Sequence, residues 1–148
     1  MKSGQNNLRL EDSTIWQEAC SLAEYMYSKL IEFSEEEKWD SQRKLRSSAN
    51  DVMFFVSQAI GNAVPGGREY EWGLSRKHAA ALKTMYRFAC RQKFIDLEPE
   101  IMVRLDKLIK QIDLEVVKAN RQTEEHGQKE LELWLEKYRL WQKISKEK

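Results

Sequence analysis

STIWQEACSLAEYMYSKLIEF, residues 13–33, places Ile15, Ala19, Leu22, Ala23, Met26, Leu30 and Phe33 at steps of three and four. A helix with 3.6 residues per turn stacks such positions on one side, whereas a half-buried strand needs steps of two. Asp12, Ser13 and Thr14 precede the run, where a side-chain oxygen can accept from the free amides of a first turn. The stretch therefore predicts an amphipathic helix over about 13–33, with an apolar stripe that other elements must cover.

The same period continues downstream. The acidic SEEEK, residues 34–38, suits the positive N-terminal end of a second helix. Its inward face reads Leu45, Ala49, Val52, Met53, Val56, Ala59 and Ile60, and GNAVPGG supplies a loop near 61–68. A third helix is predicted over 70–94 with Leu74, Ala81, Leu82, Met85, Phe88 and Ala89 inward. Asp96 and the following LEPE open a fourth, since Pro99 is tolerated in a first turn. Ile101, Leu105, Leu108, Ile112 and, at the end of the series, Val116 form its apolar face. Beyond the polar NRQTEEHGQKE and its Gly127, Leu131, Trp134, Leu135, Tyr138 and Trp141 resume the spacing, as a fifth helix or a continuation of the fourth.

Composition agrees with an all-α chain. Of 148 residues, 33% are charged and 41% hydrophobic, with only two prolines and six glycines. The expected architecture is an antiparallel up-down four-helix bundle with an additional C-terminal helix or an extension of helix 4. Residues 1–12 are expected as a disordered N-terminus, 13–121 as the bundle and 122–148 as the helical extension. Cys20 and Cys90 show neither a CxxC pair nor clustered histidines, which argues against a zinc site or a disulfide framework and suits buried thiols. No apolar run approaches the roughly 20 residues of a membrane span, so a cytoplasmic location without membrane contact is expected.

Charge is distributed unevenly. Lysine and arginine number 25 against 24 acids, yet SRKHAAALKTMYRFACRQKF, residues 75–94, contains no acid at all. On the wheel drawn from the apolar positions above, Arg76, Lys83, Arg87 and Arg91 fall opposite the buried side, within about 80° of one another; Lys77 and Lys93 complete the set. Such a stripe fits a phosphate track, where cations displace the counterions of a nucleic-acid backbone. It equally fits a wet face paired to acids such as Glu18 and Glu24. Ala79 and Ala80 would let a backbone approach, and Tyr86 flanks the stripe as a platform for an unpaired base or as a core-edge residue. His78 reads as a hydrogen-bonded core histidine and His126 as an exposed residue at a helix break. Glu35, Glu36 and Glu37 point in different directions around a helix and complement its dipole better than they would hold a cation.

The order of these segments, from WQEA at 16–19 through EEEKW at 35–39 and a glycine-rich loop to the basic third helix, resembles a known family. It is similar to the bacterial four-helix-bundle proteins first noticed in intervening sequences of large-subunit ribosomal RNA genes, over about residues 13–120. That family includes the accessory variability determinant (Avd) of diversity-generating retroelements, a small protein associated with a reverse transcriptase. Where many members carry an NIAEG-like end to helix 2 and a GS in helix 3, this chain has FVSQAIG and HAAALKTM. Its basic third helix is closest in character to the Avd branch. The resemblance implies a homopentamer with no catalytic site of its own, which binds structured RNA or RNA/DNA and a reverse transcriptase; the residues themselves give no reason to expect a cofactor or metal. Apolar positions outside the tidy faces, Trp16, Trp39, Phe54, Phe55 and Trp72, are candidates for contacts between subunits.

Two functions remain open on the sequence. One is a nucleic-acid-binding accessory protein using Arg76, Lys77, Lys83, Arg87, Arg91 and Lys93. The other is a protein-interaction scaffold in which charged faces and a C-terminal helix bearing Trp134, Leu135, Tyr138 and Trp141 join the chain to a partner, without nucleic acid. No Ser/His/Asp set, phosphate-binding glycine loop or Glu-x-x-His pair is visible, so catalysis is not expected.

Overall fold

A computed structural model describes residues 9–36 and 40–147. Among them the chain is all-helical: α1 (Thr14–Lys29), α2 (Ser41–Gly61), α3 (Pro65–Arg91) and α4 (Pro99–Lys146), with short 3-10 turns at Leu10–Asp12 and Leu30–Glu32. Ser13 caps α1 as its type predicts, with its hydroxyl oxygen accepting from the Trp16 amide at 3.3 Å. The first helix closes four residues before Phe33, and the 3-10 turn tucks Leu30 and Phe33 into the core. Order begins before residue 13, in the turn at Leu10–Asp12; residues 1–8 of the expected disordered N-terminus lie outside the described residues.

Helix α2 starts at Ser41, later than SEEEK suggests; Ser34, Glu35 and Glu36 belong to the connection, and Glu37, Lys38 and Trp39 lie outside the described residues. The loop after it is shorter than expected. Gly61 still belongs to α2, only 62–64 connect, and Pro65 stands at the start of α3. Proline's fixed φ suits the first helical position, where its missing amide would have been unpaired. At the other end α3 stops at Arg91, and Lys93 takes a left-handed φ of 61°. The Phe94 amide reaches back to the Ala89 carbonyl at 2.9 Å and the Lys93 amide to Cys90 at 3.1 Å, so the last carbonyls of the helix are satisfied.

Helix α1 packs on α2 and α4, α2 on α3, and α3 on α4. The shared core takes Leu22 and Met26 from α1, Leu45, Val52 and Val56 from α2, Leu82 and Tyr86 from α3, and Leu105, Leu108 and Ile112 from α4. At roughly 1.5–3 kcal/mol for each large side chain fully removed from water, this cluster is the main stabilising term. Two polar groups against it are paired: the Trp16 indole donates to Ser57 Oγ at 3.2 Å, and Ser75, wholly buried, donates to the Glu71 carbonyl at 2.9 Å.

The third helix faces the core differently from the periodic reading. Its buried residues are Trp72, Ser75, Ala79, Leu82, Tyr86 and Ala89. Ala81 and Phe88 are exposed, and Leu74 and Met85 are half-buried. The inward direction is turned by roughly 90° from the expected one. The inward face sets small Ser75 and Ala79 among bulky Trp72, Leu82 and Tyr86, while Leu74 and Met85 line its flank.

No helix among the described residues is long and apolar enough to cross a membrane. Helix α4 passes through Gly127 without a break, which makes the C-terminal segment a continuation and not a fifth helix. A glycine costs only about 1 kcal/mol against alanine inside a helix, and the neighbouring Gln128, Lys129, Glu130 and Leu131 are good helix formers.

Candidate functional site

Turning α3 by a quarter circle moves the cations from the outer face to the seam with α4. Arg76 Nε lies 2.6 Å from Asp113 Oδ1, and Lys83 Nζ pairs with Asp106. The two cations are one heptad apart on α3 and their acids one heptad apart on α4, in opposite order, so the two helices run antiparallel there. These two members of the stripe already hold carboxylates. Glu18, an expected neighbour of the stripe, instead takes a two-pronged contact from Arg104 of α4, at 2.7 and 3.2 Å, while Ser21 Oγ accepts from the same guanidinium at 2.8 Å. The hydrogen bond that Arg104 donates to Glu18 pushes the Arg104 pKa up, so that guanidinium stays charged.

Lys77, Arg87, Arg91 and Lys93 are exposed and make no ion pair among the described residues. Arg87 and Arg91 stand one turn apart and, with the paired Lys83 and Asp106, line a cavity of about 500 Å³ between α3 and α4. Cys90, Leu97 and Met102 supply the apolar part of its lining. Burial raises the Cys90 pKa and keeps the thiol protonated; Cys20 is shifted the same way by burial and then by Glu24. The cavity lining thus joins the cations of α3 and one acid of α4 to an apolar patch.

Other residues singled out in the sequence are used inside the chain. Tyr86 is fully buried, its hydroxyl accepting from the Glu98 amide at 3.0 Å and lying 3.4 Å from the Tyr25 hydroxyl. Burial is the first cause that raises the pKa of both phenols. It offers no face to a base, and Ala79 beside it is buried as well. His78 stacks on Phe55 at 4.8 Å and lies 3.6 Å from Asp51. Of the apolar residues considered for contacts between subunits, Trp72 is buried and Trp16 and Phe55 are half-buried, whereas Phe54 is exposed and Trp39 lies outside the described residues. Among the described residues no three His, Cys, Asp or Glu side chains gather as a metal site.

The second candidate surface is the end of α4. Ala119 is its last buried residue, and every residue from Glu124 to Lys146 is exposed. At 1.5 Å per residue this is a bare helix about 35 Å long. Trp134 is 57% and Trp141 63% exposed, with Leu131, Leu133, Leu135, Tyr138, Leu140 and Ile144 also open. Trp134 stacks on Tyr138 at 5.3 Å and Tyr138 on Trp141 at 6.2 Å, so the aromatics form one continuous ridge. Monomeric proteins rarely expose an apolar surface this continuous.

Sequence reasoning missed Asp106 and Asp113 as the partners of the stripe. The signal was present: two cations and two acids share a seven-residue spacing on helices that are consecutive in the chain. Comparison of the chain with protein-family models, curated proteins and solved structures gave no match.

Proposed function

We propose that this chain is a non-catalytic, cytoplasmic, homo-oligomeric accessory protein that binds nucleic acid through the free cations of α3, beside a reverse transcriptase as the Avd resemblance implies. The closed circuit of neighbours α1–α2–α3–α4 and the short connections support an up-and-down four-helix bundle as its frame. The observation that carries the reading is that Lys77, Arg87, Arg91 and Lys93 remain exposed without acidic partners among the described residues, although Asp106 and Asp113 are close enough to hold their neighbours. Unpaired cations at the end of a helix complement its dipole, and they also cost the least to bring against phosphate, because no internal ion pair must be broken.

Binding of a structured RNA, followed by fluorescence anisotropy over a salt series, tests the reading. Each phosphate contact adds about 0.7–0.9 to the slope of log affinity on log salt. Replacing Arg87 and Arg91 with glutamine is expected to flatten the slope by about 1.5, with the circular dichroism unchanged. Absence of salt-dependent binding, or equal binding by the variant, contradicts the reading.

A second reading, the protein-interaction scaffold, is favoured by the exposed aromatic ridge of α4. Buried tryptophan and tyrosine anchors carry most of the energy of protein interfaces. Here they stand on a helix that no part of the described chain covers.

A further inference from the structure

The ridge has a definite shape. Around the wheel, Leu131, Trp134, Leu135, Tyr138 and Trp141 fall within about 120°. The remaining positions of that sector between residues 127 and 145, namely Gly127, Gln142 and Ser145, are uncharged. A sector of this width is covered by one partner helix.

The charges on its two flanks say which helix. On one flank Glu130 precedes Lys137 by a heptad; on the other Glu132 precedes Arg139 by a heptad. Each flank is thus acidic first and basic one heptad later. If an identical helix is laid alongside in parallel, Glu130 comes level with Glu132 of the second copy and Lys137 with Arg139 of the second copy, which sets like charges against each other. Laid antiparallel and crossing at Trp134, the same helix brings Glu130 level with Lys137 of the second copy, and Glu132 within a few residues of Arg139 of the second copy. Opposite charges then meet on both flanks. That crossing also sets Trp141 over Gly127 of the second copy, where the missing side chain leaves room; nothing lies within 4 Å of a Cβ built at Gly127 in the single chain.

We propose that the end of α4 pairs antiparallel with the end of α4 from a second copy of this chain, through the Trp134–Tyr138–Trp141 ridge. The pairing rests on the scaffold reading in one respect, that the ridge is a docking surface, and is independent of nucleic-acid binding. Large side chains carry about 200 Å² each. At the observed exposures the five ridge residues offer roughly 500 Å² per copy, near the lower bound of about 1,000 Å² in total for a specific interface. The dimer is therefore expected to be reversible and concentration-dependent.

The test is sedimentation equilibrium of the full chain at low salt, with tail variants. Wild-type mass is expected to rise with concentration from that of one copy to a multiple of two, and Trp134→Glu with Trp141→Glu is expected to weaken association at least ~30-fold, since a single interface anchor is worth about that factor. Glu130→Lys alone is expected to weaken it roughly fivefold, and Glu130→Lys combined with Lys137→Glu to restore it. Strengthening by Glu130→Lys would indicate parallel pairing and overturn the proposal. An assembly that persists unchanged in the double tryptophan variant would place the contact on another surface and overturn it as well. A wild-type chain that stays monomeric also overturns it, and trypsin then separates the two levels of failure. Rapid cleavage after Lys137 leaves the ridge free for a different protein, whereas resistance means that the tail folds back and the docking reading fails too.

Discussion

Helix α4 is one element with two halves that live under different physics. From Pro99 to Ala119 it buries Ile101, Leu105, Leu108 and Ile112, packed on α1 and α3. From Glu124 to Lys146 the same helix, with apolar residues at the same spacing, has no buried residue. The first half is held by burial; the second extends an already nucleated helix, which spares it the cost of starting one, and has good helix formers and local pairs such as His126 with Glu130 at 3.3 Å. An apolar period reports that a face is to be covered and leaves open what covers it.

The largest contrast is expected from equivalent truncations in the two halves. Leu108→Ala should cost about 2–5 kcal/mol in urea unfolding, as a fully buried leucine does. Leu140→Ala, on an exposed position outside the ridge, should change stability by less than about 0.5 kcal/mol. Similar costs at both positions would mean that the tail is part of the folded core. Next in size is removal of the tail itself. A chain ending at Arg121 retains every buried residue, and is expected to keep its urea midpoint while losing helical ellipticity. Loss of cooperative unfolding would break the comparison.

The ion pairs at the α3–α4 seam give a smaller effect. Asp106→Asn with Asp113→Asn is expected to cost about 0–2 kcal/mol in total, because such half-exposed pairs contribute little. It releases Lys83 and Arg76, so the salt slope for RNA binding should steepen by roughly 1.5. No change in slope would show that those two cations have no access to phosphate. Smallest is the behaviour of the thiols. Burial raises the pKa of Cys20 and Cys90, so the reactive thiolate is scarcer at any given pH than in an unfolded chain. Alkylation near pH 8 should be slower in the native protein than in urea, with the difference narrowing as pH rises through the native values.

Helices α1, α2 and the first half of α4 were legible because each turns one heavily apolar side to the core. Leu22, Met26, Leu45, Val52, Leu105 and Leu108 are all where their spacing puts them. The third helix was not, because its buried face mixes Ser75 and Ala79 with Trp72 and Tyr86, while Leu74 and Met85 stay half-buried on the flank. Counting apolar residues there favoured Met85 and Phe88 over Ser75 and Ala79, whose value is their small size. That error of angle also moved the cations: Arg76 and Lys83 lie at the seam, not opposite the core. Pro65 hid the start of α3 because proline reads as a stop and is equally at home in a first turn. Gly127 suggested a break for a similar reason, although one glycine among strong helix formers does not end a helix.

Hydrogen exchange along α4, at a concentration where the chain is monomeric, tests the division of this helix most directly. Amides between Leu105 and Ile112 are expected to exchange only with opening of the whole body, and those between Leu131 and Ile144 orders of magnitude faster, by local fraying. Uniform protection from Leu105 to Ile144 in the monomer would contradict the account, because it would require the aromatic ridge to be covered within a single chain.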